Sequence, residues 1–274
     1  MKAQGTKSHG AMAAELLERI RAAHPLIHHI TNWVVMNDTA NATLALGALP
    51  VMAHAREEVE EMVGAAGALV LNPGTLFPEL VEAMVMAGRR ANERGVPVVY
   101  DPVGVGATRY RNETAARLLK ELRVAVIRGN SGEIGALAGA GGAVKGVESV
   151  EGVANPQAVA RALALRHGAV VAITGKRDIL SDGTRVRGVD NGHEMLKSVT
   201  GTGCMATTVV AIFCAVESDR LAAAASALAC YGLAAERAAR GTRGPGSFRA
   251  SLLDELYHMT PALLEKEARV VDLD

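Results

Sequence analysis

The chain has 274 residues, 49% of them hydrophobic and 21% charged, enough to build the core of one large domain over residues 1–274. Lys plus Arg and Asp plus Glu each number 29 and aromatics make up 3%, which leaves no basic footprint for nucleic acid, no polybasic membrane anchor and few rings for stacking bases. Three cysteines without Cys-x-x-Cys spacing, a polar start with no apolar signal stretch, and no apolar run long enough to span a bilayer predict a reduced, cytoplasmic protein.

Met12, Leu16, Leu17 and Ile20 recur at helical spacing and predict an opening helix that Pro25 ends. Residues 26–30 read as the first strand, with His28 and His29 on opposite faces and therefore a poor metal pair. A helix over 37–46 is closed by Gly47, and a short strand near Val51, a helix over 57–63 and a strand over 68–71 follow. Next come a helix over 78–94, Gly95 and the apolar strand 96–100. The alternation continues with a helix over 114–122, a strand over 124–127 and a helix over 132–138. Residues 139–152, rich in Gly and Ala, read as a loop, ahead of a helix over 158–166 and a fully apolar strand over 169–173. Asp182-Gly183 between strands 178–181 and 184–189 signals a hairpin. Beyond Gly203 only helices are expected, over 204–216, 220–240 and 250–256. Strands apolar throughout and linked by helices predict an α/β fold, a mostly parallel central sheet with helices on both faces. Ligands of such sheets bind beyond the carboxyl ends of the strands.

Residues at those ends carry chemistry. Asp101, followed by Pro102-Val103-Gly104, is either a Mg²⁺ or water-shell ligand or a turn-former. Arg128, in Arg128-Gly129-Asn130-Ser131-Gly132-Glu133, is suited to clamp phosphate oxygens, with Asn130 as the N-cap of the next helix and Glu133 in its first turn. Thr174-Gly175-Lys176-Arg177 suits a polyphosphate without matching a Walker A loop, although Lys176 and Arg177 read more simply as solvated surface. Asn32 is either a hydrogen-bond partner for a small heterocycle or an ordinary cap. Met52 reads as core or as a thioether lining an aromatic ligand.

The run Val199-Thr200-Gly201-Thr202-Gly203-Cys204 leads straight into an apolar helix. Its glycines allow a tight turn, and the free amides of the helix start coincide there with the positive end of the helix dipole. The amides from Gly201 to Cys204 therefore suit phosphoryl oxygens, and the position of Cys204 in the first turn predicts a lowered thiol pKa. The plainer alternative is a common turn followed by a small buried Cys.

Taken in order, several segments together make the chain resemble the hydroxyethylthiazole kinase family of the ribokinase-like superfamily. They are Thr31-Asn32, Ala45-Leu46-Gly47-Ala48, Asn72-Pro73-Gly74-Thr75, Asp101-Pro102-Val103-Gly104-Val105-Gly106-Ala107, Ile127-Arg128-Gly129-Asn130, Ile173-Thr174-Gly175, Gly201-Thr202-Gly203-Cys204 and Gly244-Pro245-Gly246-Ser247-Phe248. The resemblance implies a ribokinase-like fold and ATP- and Mg²⁺-dependent phosphorylation of the primary alcohol of 4-methyl-5-(2-hydroxyethyl)thiazole. It implies nucleotide-phosphate contacts at Arg128 and Thr174, thiazole contacts at Met52 and Gly201, and metal-associated acids at Asp101 and Glu133. Cys204 stands where many ribokinase-like enzymes carry a catalytic Asp, which assigns it to receiving or orienting the alcohol proton. A homotrimer is also implied, with sites between subunits: one subunit supplies Asn32 and Met52, its neighbour the small residues Gly74 and Thr75. An ADP-dependent NAD(P)H-hydrate dehydratase would be favoured by Asp in place of Cys204, and a non-catalytic thiazole-binding protein is opposed by Asp101, Arg128, Glu133 and the anion loop.

Overall fold

The structure, a computed structural model, describes residues 7–139 and 153–274. The loop expected over 139–152 lies outside the described residues except for Gly139, which ends a helix.

Among the described residues nine strands form one sheet in the order β2-β1-β3-β4-β5-β6-β7-β8-β9. The first six, β1 (Leu26–Ile30), β2 (Leu49–Val51), β3 (Ala68–Leu71), β4 (Val98–Tyr100), β5 (Val126–Asn130) and β6 (Val170–Thr174), are mutually parallel. Then β7 (Asp178–Ser181), β8 (Val186–Val189) and β9 (Val270–Asp272) add antiparallel. The parallel strands are linked by α2 (Met36–Ala45), α3 (Val59–Ala65), α4 (Pro78–Arg94), α5 (Arg109–Glu121), α6 (Ser131–Gly139) and α7 (Pro156–His167). The remaining helices are α1 (His9–Ala23), α8 (Thr202–Val216), α9 (Arg220–Ala239), α10 (Pro245–Tyr257) and α11 (Pro261–Glu267), with a 3-10 turn at Glu194–Ser198.

Strand side chains alternate between two cores, as the pleat requires. Ile27, Val70, Val99, Val126 and Ala172 face a layer built on α1, α2, α8 and α9, whereas Ile30, Leu71, Tyr100, Ile127 and Ile173 face α4, α5 and α7. The Ala-rich helix α9 packs against α8, α10 and α1 and is buried from Leu221 through Ala235, consistent with a helix apolar all round. Among the described residues no helix is long and apolar enough to cross a membrane.

Several expectations need correction, among them the helix expected over 114–122, which begins at Arg109 behind its cap Thr108. The chain after Gly203 is not purely helical, because β9 closes the sheet beside β8. Helix α11 was not anticipated, although Thr260 caps it by accepting the amide of Leu263 at 3.2 Å and Pro261 occupies its first turn. Helix α10 starts at Pro245, not Ala250. The hairpin is present, with Asp178 opposite Val189, but its connection runs over residues 182–185. There Asp182 Oδ1 accepts the amides of Thr184 and Arg185, and Gly183 takes φ 98°. At the far edge β2 is three residues long, with Pro50 opposite Ile27.

Candidate active site

The carboxyl ends of the parallel strands converge on the start of α8. Gly201 caps that helix at φ 86°, a left-handed conformation open to glycine. A Cβ there would lie 2.8 Å from Val35, and the backbone of Gly201 accepts the amide of Met205. The first-turn amides of Thr202, Gly203 and Cys204 have no acceptor within the helix. The absent side chain of Gly203 makes room for Arg128: a Cβ would stand 2.9 Å from Nη1. Arg128 is 10% exposed, donates from Nη2 to Thr174 Oγ1 at 2.6 Å and places Nη1 3.7 Å from Asp101 Oδ2.

Beside these groups a cleft of about 820 Å³ opens between the ends of β5 and β6 and helices α8 and α9. Arg128, Thr174, Gly203, Ala206, Lys176 and Tyr231 contribute to its wall. Lys176 is therefore a wall residue of the cleft, while Arg177 is held by Asp190 at 2.6 and 2.8 Å. Sequence reasoning missed Asp178, which also lines the cleft, accepts the amide of Gly175 at 2.9 Å and is pushed by burial to a pKa of about 6. It missed Gly232 as well, where a Cβ would meet the Asn191 carbonyl oxygen within 2.3 Å. For Gly232 the signal is an isolated Gly inside an apolar helix, whereas Asp178 carries no mark of its own in the sequence.

On the other side of Arg128 a buried polar chain runs across three strands. Asp101 Oδ2 accepts from Thr207 Oγ1 at 2.7 Å and from Asn72 Nδ2 at 3.3 Å, while Oδ1 has no partner among the described residues. Asn72 Oδ1 accepts from Asn32 Nδ2 at 2.9 Å and from the Gly74 amide at 3.2 Å. Asn32 Nδ2 lies 3.7 Å from Cys204 Sγ, and Thr75 Oγ1 accepts the amide of Trp33. A Cβ on Gly74 would strike the Asn32 side chain at 2.8 Å. Asn32, Gly74 and Thr75 thus meet in one wall within a single chain. Met52 meets this group indirectly: its carbonyl lies 3.1 Å from His54 Nδ1, and His54 Nε2 lies 3.1 Å from the Thr31 amide.

Two clasps hold the loops. Glu133 Oε1 accepts the Gly104 amide at 3.0 Å, and Glu133 Oε2 accepts that of Asn130 at 3.0 Å, while Asn130 Oδ1 caps α6 by accepting the Glu133 amide. Arg111, unmarked in the sequence, donates to the carbonyls of Pro73, Gly74 and Val103 and so ties the β3 loop to the β4 loop.

The charges follow from burial. Desolvation lifts Asp101 to a pKa of about 6; Arg128 opposes the lift and Glu133 adds to it. Cys204 is not lowered as expected: burial, reinforced by the Asp101 charge, pushes it up to about 11 against the pull of Asn72, Arg128 and Asn32. At neutral pH the site presents a thiol and not a thiolate. Among the described residues no three His, Cys, Asp or Glu side chains converge as a metal cage.

The family model of the hydroxyethylthiazole kinase family matches residues 17–262. A hydroxyethylthiazole kinase of Desulforudis audaxviator is 68% identical over 257 residues, 94% of each chain. The structure of the hydroxyethylthiazole kinase protein of Pyrococcus horikoshii OT3 is similar with a TM-score of 0.89 and 45% identity, over 96% of this chain and 99% of that one. A ribokinase-like superfamily protein of Enterococcus faecalis shares the fold at a TM-score of 0.64 and 12% identity, over 90% of this chain and 95% of that one. With the ordered strand-end loops, the anion-ready start of α8 and these likenesses together, the chain belongs to the hydroxyethylthiazole kinase family, a family of phosphotransferases.

Proposed function

We propose that the chain transfers the γ-phosphoryl group of ATP to the primary alcohol of 4-methyl-5-(2-hydroxyethyl)thiazole, acting in the cytoplasm as one kinase domain over residues 1–274. The observation that carries this reading is the start of α8, where Gly203 borders the phosphate-suited Arg128 and Cys204 borders Asn32. One helix end therefore touches both substrates. Phosphoryl transfer asks a protein mainly for positioning and charge stabilisation. The amides of Gly201 to Cys204 and the guanidinium of Arg128 hold the transferring oxygens as charge shifts onto them. Thr174 hydrogen-bonds Arg128 and steers it to the phosphates. Asn32, Met52, Gly74, Thr75 and Gly201 line the thiazole side. Cys204, its thiol kept protonated at neutral pH by burial, orients the alcohol, whose proton passes to a phosphoryl oxygen as the oxygen–phosphorus bond forms and the bond to ADP breaks.

Mg²⁺ fits the acids present. Asp101 Oδ1 is buried without a partner, and Glu133 keeps a free lone pair on each oxygen after its two amide bonds. One or two carboxylates, with substrate phosphates and water completing the shell, is a common way for proteins to hold this ion. Asp101 and Glu133 would hold it directly or through water, and its chemistry there would be to neutralise phosphate charge.

A homotrimer belongs to the same reading. Trp33 and Val34, which follow Asn32 in the chain, and Leu44 and Leu49 are exposed large apolar residues of the kind that oligomers cover. The deciding experiment incubates the purified chain with Mg·ATP and a panel of alcohols that includes the thiazole. Mass spectrometry is expected to find one added phosphate on the thiazole, and folded protein that forms no such product refutes the assignment.

A further inference from the structure

Strand order explains an unusual placement. Because β3 lies between β1 and β4, the first residue past its end has neighbours on both sides. The ladder continues through that residue: the Asn72 amide donates to the Ile30 carbonyl at 3.0 Å, and the Asp101 amide donates to the Leu71 carbonyl at 2.9 Å. The backbone of Asn72 is therefore fixed, and its side chain, 1% exposed, uses both ends of its amide. The oxygen takes two N–H donors, from Asn32 and Gly74, and the nitrogen donates to Asp101. A flipped amide would set N–H against N–H on one side and oxygen against carboxylate on the other, so the orientation follows from the network.

We propose that Asn72 is a positioning residue that aligns the alcohol side of the site with the phosphate side. This inference rests on the kinase reading above. On one side Asn72 holds the Asn32 amide, which in turn reaches Cys204 Sγ. On the other, Asn72 and Thr207 both occupy Asp101 Oδ2 and leave Oδ1 as the free oxygen. Buried hydrogen bonds of this kind lock the rotamers of the groups that touch substrate. A shift of about 1 Å in such groups can cost on the order of 100-fold in rate without abolishing binding.

The test compares Asn72→Ala and Asn72→Asp with the unaltered chain by steady-state kinetics and thermal melting. Asn72→Asp is isosteric: it keeps the acceptor for Asn32 and Gly74, loses the donor to Asp101 and adds a second carboxylate. Both variants are expected to lose on the order of 100-fold in kcat, with each KM within about threefold of the original. A merely structural role would instead lower the melting temperature and leave kcat per folded molecule unchanged. If Asn72→Ala does not fold, Asn72→Asp carries the test alone. An unaltered chain that is active while Asn72→Asp keeps its kcat overturns the role of Asn72 and leaves the kinase reading intact. An unaltered chain that makes no product overturns both.

Discussion

At Cys204 two local influences oppose each other. The first turn of a helix favours a thiolate through unpaired amides and the helix dipole. Burial and the nearby Asp101 carboxylate favour the thiol, and they win, setting the pKa at about 11. Only the first influence can be read from a sequence, since helix starts are marked by glycines whereas burial depth and a carboxylate 103 positions upstream are products of folding. The same distinction applies to Glu133, whose place in a first turn was legible while its reach back to Gly104 was not. Alkylation of Cys204 by iodoacetamide is therefore expected to accelerate with pH up to and beyond pH 9, with no plateau near neutrality. Cys204→Ala is expected to lower kcat by about tenfold and to change ATP affinity little, because general acid–base catalysis would contribute about 100-fold or more and orientation alone less. A plateau in the alkylation rate near pH 7 would show the thiolate to be the resting form.

Strand β1 carries its own acid sensitivity. His29 is fully buried, with only a 3.4 Å contact from Nε2 to Thr43 Oγ1, and burial drives its pKa to about 3. His28, on the other face, is lowered by burial although its Nε2 lies 2.7 Å from the Ala53 carbonyl. The unfolded chain takes up a proton at His29 near pH 6.5 and the folded chain only near pH 3. Stability from this group is complete above about pH 6.5 and is lost as pH falls toward 3, by on the order of 5 kcal/mol. His29→Leu is expected to flatten the fall of melting temperature between pH 6.5 and 4, as followed by circular dichroism. An unchanged slope would mean that other groups set the acid limit. Among the elements, long amphipathic helices and apolar strands were legible because each carries its own period. Helix α11 carried a readable Thr260-Pro261 start that went unused, whereas β9 has a mostly exposed face and exists only through pairing with β8.

For the molecule as a whole, the position of the site followed from the parallel βα rhythm, which sends ligands to the strand ends. Strand order did not follow, since no local pattern says that β1 and β3 are neighbours. That gap is why the close approach of Gly74 to Asn32 within one chain has no mark in the sequence. The family likeness leads us to expect a trimer that covers exposed apolar residues such as Trp33 and Leu44, and Trp33→Glu combined with Leu44→Glu is expected to give monomers in analytical ultracentrifugation. Unaltered chain that sediments as a monomer at assay concentration would remove that expectation. Any such assembly has a restricted form. In the parallel pair of β1 and β2 the amide of Leu49 points inward, to the Pro25 carbonyl at 3.0 Å. Alternation along the strand then turns residue 50 outward, and residue 50 is a proline with no N–H to offer. The β2 edge cannot donate a main-chain hydrogen bond there to an incoming strand, so any copy packed on that edge would have to use side chains, and runaway strand addition is blocked at its first rung.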